Sequence, residues 1–218
     1  GNYRIVTDTT KLAMPETAIG FFPDVGGSYF LSRLKYNYGL FLALTGQMIN
    51  HNEILELGFG THYCPNDQIN NFIDKFIMNQ TIGISDKIIL KNKNKLKNFN
   101  LINDCFKGNI KDILEKLEKN NTEEAKKLIE IIKKKCPMSL LITISLLKKG
   151  SCKNLKECLK MEYDLCQNMV YRKDFDEGID AVLISKHHNP KWIPKSINDI
   201  EKNDVNKLFE FNGEKLIL

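Results

Sequence analysis

The apolar residues of the chain change their spacing once. Up to about residue 65 they come in short clusters cut by turn formers, and beyond residue 101 they recur at helical intervals. "YRIVT" and "KLAMPE" are short apolar segments parted by "DTT" (Asp8 to Thr10), which predicts two strands and a turn, with Pro15 closing the second. "DVGGSYFLSRL" predicts a short helix with Asp24 as its N-cap. "YGLFLALTGQ" predicts a helix stopped by Gly46. "NHNEILELGF" predicts another that begins near Asn50 or Asn52 and closes at Gly58. "THYCP" reads as a short strand before a helix over roughly 66–79.

Residues 80–100 are rich in Lys and Asn and weakly periodic, which predicts a variable linker. After them, Ile110, Ile113, Leu114 and Leu117 make one helical face. Thr122 precedes a helix carrying Ala125, Leu128, Ile129 and Ile132, and "CPMSLLITISLLKKG" predicts a helix from Pro137 to Gly150. "LKECLKMEYDLCQNMV" predicts a helix with Leu155, Cys158, Leu159, Cys166 and Met169 turned inward. Phe175, Ile179, Val182 and Leu183 mark one more, ended by "NPKWIP". The expected organisation is therefore residues 1–79, a linker over 80–100, and a helical region over 101–218. The chain is mostly helical with a few short strands near its start.

Charge changes this picture little. The excess of 32 Lys+Arg over 27 Asp+Glu lies in runs such as "KNKNKLKN" (Lys91 to Asn98) and Lys133 to Lys135, which read as solvated faces. These runs lack the interleaved aromatics of a single-strand platform, so no nucleic acid partner is expected. The six cysteines form no CxxC pair, and four scattered histidines give no zinc spacing. Reduced thiols in an intracellular compartment are expected. No apolar run approaches ~18 residues, and the start carries no signal-like segment. The opening strand, turn and strand read as the continuation of an earlier element.

The candidate chemistry lies in "LAMPETAIGFFPDVGGSYFL", which places Glu16 and Asp24 eight positions apart among apolar residues. Glu16 follows Pro15 at the end of a predicted strand, where α/β enzymes often present reactive groups. Ala13, Met14, Ala18, Ile19, Phe21 and Phe22 would desolvate its carboxylate, raising its pKa toward the range of a general acid or base. A surface turn would equally explain a glutamate there. For Asp24, helix capping is a sufficient structural reason. Gly26 and Gly27 in a first turn each cost about 1 kcal/mol against Ala, so close approach of a ligand or another backbone is expected there.

"MPETAIGFFPDVGGSYFLSRL" resembles the crotonase (enoyl-CoA hydratase/isomerase) superfamily, specifically its 3-hydroxyisobutyryl-CoA hydrolase branch. Asp24 after Pro23 follows the hydrolase pattern, where general hydratases tend to carry glycine. "LALTGQMINHNEILELGFGTHYCP", "CPMSLLITISLL", "LKECLKMEYDLCQ" and "DFDEGIDAVLISKHHNPKW" resemble later segments of the branch in order and spacing. The resemblance covers nearly the whole chain and is weakest over 80–100.

It implies an α/β crotonase-like fold, of which this chain is the C-terminal part. It matches Glu16 to the catalytic glutamate and Asp24 to the second acid of the substrate site. It implies hydrolysis of 3-hydroxyisobutyryl-CoA to 3-hydroxyisobutyrate and CoA, a step of valine breakdown. No cofactor is implied beyond the coenzyme A of the acyl-CoA substrate; a homo-oligomer and a mitochondrial matrix location are compatible. The family's oxyanion hole comes from earlier backbone amides, so this chain alone is expected to lack useful thioesterase activity. The rivals are an enoyl-CoA hydratase or isomerase, and a non-catalytic crotonase-fold protein that binds RNA or a partner.

Among other residues, Glu162 lies on the apolar face of its helix and reads as a buried, paired structural group. Lys186 reads as a solvated helix-end lysine, with contact to CoA phosphates as the alternative. His187 and His188 read as surface residues, and Trp192 as a packing anchor for the tail.

Overall fold

Ile5–Val6 and Lys11–Leu12, the two strands parted by the Asp8–Thr9 turn, do not pair with each other. Each finds its partner farther along the chain. The computed structural model describes residues 1–79, 96–211 and 213–218, so most of the expected linker lies outside the described residues. In chain order they form β1 (Ile5–Val6), β2 (Lys11–Leu12), α1 (Gly27–Leu31), α2 (Tyr38–Thr45), β3 (Ile49–Asn50), α3 (His51–Glu56), β4 (His62–Tyr63) and α4 (Ile69–Asn79). Then come α5 (Phe99–Cys105), α6 (Ile110–Asn120), α7 (Glu123–Lys133), α8 (Pro137–Gly150), α9 (Leu155–Met169), α10 (Lys173–Ile179) and α11 (Lys202–Lys207). A 3-10 turn spans Glu16–Ile19, and α10 runs on through a wider π turn over Asp180–Ile184.

The chain divides into two compact units, Gly1–Ala13 with Met48–Phe99, and Met14–Gln47 with Asn100–Leu218. These boundaries differ from the expected division at 79 and 101, since residues 14–47 group with the later helices. In the first unit β1 runs parallel to β4, with Ile5 opposite His62, and β2 runs antiparallel to β3, with Leu12 opposite Ile49. Val6, Ile49, Ile54, Leu57, Cys64 and Leu96 are its buried apolar residues among those described. Asn50 starts α3 with a reciprocal cap: its Oδ1 accepts from the Asn52 and Glu53 amides, and Glu53 accepts from the Asn50 amide.

In the second unit the helix starts and stops follow the local rules. Gly46 ends α2 in the left-handed conformation, Thr122 caps α7, Pro137 opens α8, and Asn109 and Asn154 form capping boxes on α6 and α9. The central helix is α8, which packs against α1, α2 and α6 and buries Met138, Leu140, Ile142, Leu146 and Leu147. Phe21 and Phe22 stack at 4.4 Å in a core shared with Cys136, Leu165, Met169 and Trp192. Trp192 is buried as expected, and its indole N–H donates to the Lys134 carbonyl at 3.0 Å.

One inward assignment does not hold, and one residue that marks a helix is exposed. Leu155 is 47% exposed because it is the first residue of α9, before the helix meets its neighbours. Leu183 is 55% exposed because the π turn rotates the face that α10 began, leaving Asp174, Gly178 and Ala181 inside. This face packs against the Glu16–Ile19 turn so closely that a Cβ at Gly178 would stand 2.3 Å from the Ile19 carbonyl carbon. Asp174 is 3% exposed, and it accepts from the Ile193 amide at 2.8 Å and from Arg172 at 2.9 Å. Asp174→Ala leaves that amide and the guanidinium without their acceptor, so urea unfolding should show a loss of about 2–3 kcal/mol. A loss under roughly 0.5 kcal/mol would refute this account of how the tail is held.

Candidate active site

Glu16 opens its 3-10 turn directly after Pro15, four residues beyond the end of β2, so it stands on a turn and not on a strand end. The turn is fixed by main-chain bonds. The Ala18 amide donates to the Pro15 carbonyl at 2.8 Å, the Phe21 amide to the Glu16 carbonyl at 3.0 Å, and the Cys136 amide to the Thr17 carbonyl at 3.1 Å. The side chain is half-buried, and its Oε2 is fully buried without a hydrogen-bond partner among the described residues. Burial pushes its pKa from the usual carboxylate range up to about 7. Its own backbone N–H opposes the shift, the Asp24 charge adds to it, and Lys135 opposes it.

Asp24 is half-buried in the loop ahead of α1, and burial raises its pKa against the pull of its own backbone N–H. It does not cap α1 with its side chain. The N-cap position is Gly26, and Asp24 contributes its carbonyl, which accepts from the Gly27 amide at 2.7 Å. The loop turns through left-handed conformations at Val25 (φ 49) and Gly26 (φ 88). The second of these explains Gly26, and Gly27 is packed, since a Cβ there would stand 3.1 Å from the Pro23 Cβ.

The cap of α1 comes from Glu162, 136 residues after Gly26. Its Oε2 accepts from the Gly26 amide at 2.7 Å, and its Oε1 accepts from the Ser28 amide at 2.8 Å and the Ser28 hydroxyl at 2.5 Å. Glu162 is 4% exposed and is thus the buried, paired structural glutamate that its helical position predicts. Burial raises its pKa, these three donors oppose that, and Asp24 adds to it. Asp24 therefore acts electrostatically on two other acids, Glu16 and Glu162.

One charged residue was misplaced by the sequence pattern. Lys133 and Lys134 are exposed, as a solvated run requires, but Lys135 is half-buried. Its pKa is lowered by burial and partly restored by Glu16. The signal lay in the spacing: Lys135 continues the Leu128, Ile129, Ile132 face three places on, just before the buried Cys136. Lys186, His187 and His188 are all exposed. Among the described residues no group of three or more His, Cys, Asp or Glu side chains could hold a metal ion, and no helix is long and apolar enough to cross a membrane.

A model of the enoyl-CoA hydratase/isomerase family matches residues 1–209. The chain belongs to this family. Its relatives include the mitochondrial 3-hydroxyisobutyryl-CoA hydrolase of Dictyostelium discoideum, 39% identical over 96% of this chain and 58% of that protein. The corresponding proteins of Rattus norvegicus and Homo sapiens are 36% and 35% identical, over 99% and 98% of this chain and 60% and 59% of theirs. The chain thus spans a little under three-fifths to three-fifths of the length of these relatives. Among solved structures, a carnitinyl-CoA dehydratase from Mycobacterium thermoresistibile matches with TM-score 0.85 and 31% identity, over the whole of this chain and 64% of its own. An enoyl-CoA hydratase from Rhodobacter sphaeroides matches with TM-score 0.87 and 26% identity, over 97% and 62%. The crotonase fold that the motifs implied is therefore the fold of this chain, represented in part.

Two outcomes test this electrostatic arrangement. Glu162→Ala removes the acceptor of three buried donors and should cost about 3 kcal/mol or more in urea unfolding; retention of full stability would contradict the cap. For Glu16, the folded pKa of about 7 exceeds the ordinary 4.5, so the folded state binds the proton more tightly. Its stabilising contribution is complete below pH 4.5 and is lost as pH rises through 7. Glu16→Gln should therefore melt above the parent at pH 8, with the difference shrinking toward zero at pH 4.5. A Tm difference independent of pH would contradict the burial of this carboxyl.

Proposed function

We propose that the protein hydrolyses a short acyl-CoA thioester, 3-hydroxyisobutyryl-CoA to 3-hydroxyisobutyrate and CoA, with Glu16 as the reacting carboxylate. The observation that carries this reading is the buried, unpartnered Oε2 of Glu16 beside Asp24 in a chain similar to hydrolases of that name. A carboxyl with a pKa near 7 is divided between base and acid at neutral pH, the poise that a proton-transferring group needs.

In the ionised form Glu16 takes a proton from water as the water oxygen attacks the thioester carbonyl. The C–S bond then breaks and the proton returns to the leaving sulfur. Attack by the Glu16 oxygen itself, through a mixed anhydride later opened by water, is the alternative route for the same residue. Asp24 orients the 3-hydroxyl or the water and raises the proton affinity of Glu16. Backbone amides from the portion of the fold that this chain does not span are proposed to hold the developing oxyanion. The reaction needs no cofactor beyond the coenzyme A of the substrate, and the matrix of the mitochondrion is the proposed location, after the names of the relatives.

A second reading, hydration of an enoyl-CoA, is favoured by the solved structures of a dehydratase and a hydratase. It ranks behind hydrolysis because the named hydrolases match at 33–39% identity and because Asp24 follows Pro23.

The test is thiol release from 3-hydroxyisobutyryl-CoA by the full-length protein, beside hydration of crotonyl-CoA. Glu16→Gln should lower kcat by roughly 10²–10⁴-fold and Asp24→Asn by about tenfold or more. The acid limb of the rate profile should fall near pH 7. Full hydrolysis by both variants, or hydration without hydrolysis, would end this reading. A single turnover in ¹⁸O-water detects the anhydride opened at the Glu16 carbon, since that route alone leaves label in the Glu16 carboxyl.

A further inference from the structure

The proposed chemistry gives the half-buried Lys135 ammonium no role, and its seat is specific. The neighbouring Cys136 amide donates to the Thr17 carbonyl at 3.1 Å, so the α7–α8 junction is bonded to the very turn that Glu16 opens. The Lys135 amide in turn donates to the Ile132 carbonyl at 3.0 Å, which ties the lysine to the end of α7. Its Nζ lies 3.3 Å from the point where a Cβ at Gly46 would stand, and the same point is 3.0 Å from the Pro15 Cα. The ammonium therefore occupies the space that a side chain at position 46 would fill, beside the residue that precedes Glu16. No direct ion pair joins the two side chains among the described residues.

We propose that Lys135 is a positioning residue for this site: its ammonium, seated against Gly46 and Pro15, is the counter-charge of the Glu16 carboxylate. The inference rests on the reading of Glu16 as the reacting group and adds what keeps that group usable. The charges acting on Glu16 are Asp24, from the loop ahead of α1, and Lys135, from the α7–α8 junction; the charge acting on Lys135 is Glu16. Asp24 and burial favour the protonated acid, and an isolated acid so placed would spend too little of its time ionised at neutral pH. A cation fixed beside it favours the carboxylate, which is the form that attacks or draws a proton. Half-burial of the lysine strengthens the effect, because fewer waters screen it.

The experiment is a ¹³C NMR titration of the Glu16 side-chain carboxyl in this chain, assigned by its loss in Glu16→Gln. The parent should titrate near pH 7. Lys135→Met should move the midpoint upward by roughly one pH unit, and Lys135→Arg, which keeps the charge, should leave it close to the parent. The coupling is reciprocal, so the Lys135 ε-carbon should titrate at lower pH in Glu16→Gln than in the parent. This second measurement decides the matter if Lys135→Met does not fold. In the full-length protein the acid limb of kcat/KM should move upward in Lys135→Met together with the carboxyl. Unchanged midpoints for the carboxyl in Lys135→Met and for the lysine in Glu16→Gln would overturn the proposal. Coupled midpoints in a protein whose Glu16→Gln variant still hydrolyses thioester would support the pairing and end the functional reading.

Discussion

A carboxylate taken into a protein interior needs hydrogen bonds in place of water, or it costs several kcal/mol. Glu162 receives three, all from the loop and first turn that surround Gly26. That one requirement ties α9 to α1 across more than a hundred residues. The loop it holds contains a β-branched residue in a left-handed conformation, Val25 at φ 49, exposed at 77%. Such a conformation persists only where the surroundings over-determine it. With the loop so held, Asp24 is half-buried at one edge of it and close enough to Glu16 to act on its charge. The geometry of the candidate site therefore depends on an acid that takes no part in its chemistry.

The electrostatic balance follows from the same packing. Glu16, Asp24 and Glu162 all have raised pKa values, each with burial as the largest cause, but they differ in what answers the burial. Glu162 is satisfied by donors and is structural. Glu16 has one oxygen fully buried with no hydrogen-bond partner among the described residues, so its cost is met only in part, by its own N–H and by a lysine at a distance. Groups left in this condition are where proton chemistry near neutral pH becomes available.

All four of these residues belong to one compact unit, drawn from a 3-10 turn, a loop, a helix junction and a helix interior. None stands on a strand. The small sheets lie in the other unit, where the strands are two residues long and each pairs beyond two or three intervening helices. The match to the enoyl-CoA hydratase/isomerase family runs over residues 1–209, strands and helices alike, and the local order of motifs in "MPETAIGFFPDVGGSYFL" is what made the family legible.

Local chemistry made most elements readable in advance. Gly46 and Pro137, the caps Asn50 and Thr122, and the 3.6-residue spacing of α6 to α9 act over one or two turns, so sequence neighbours determine them. The pair Glu16 and Asp24 was visible for the same reason, as acids set among apolar residues. Partnership was not visible. Asp24 had the right residue type and position to cap α1, and lost that role to Glu162 because two amides and a hydroxyl facing a buried carboxylate make the stronger arrangement. Lys135 looked like its two solvated neighbours, yet the fold half-buries it where the Glu16 charge acts on it. The sequence by itself determined the helices, their ends and the two acids, because those depend on short-range backbone and burial preferences. The tertiary structure alone decided which charge meets which, because Coulomb and hydrogen-bond partners are set by distance in space and these lie up to 136 residues apart.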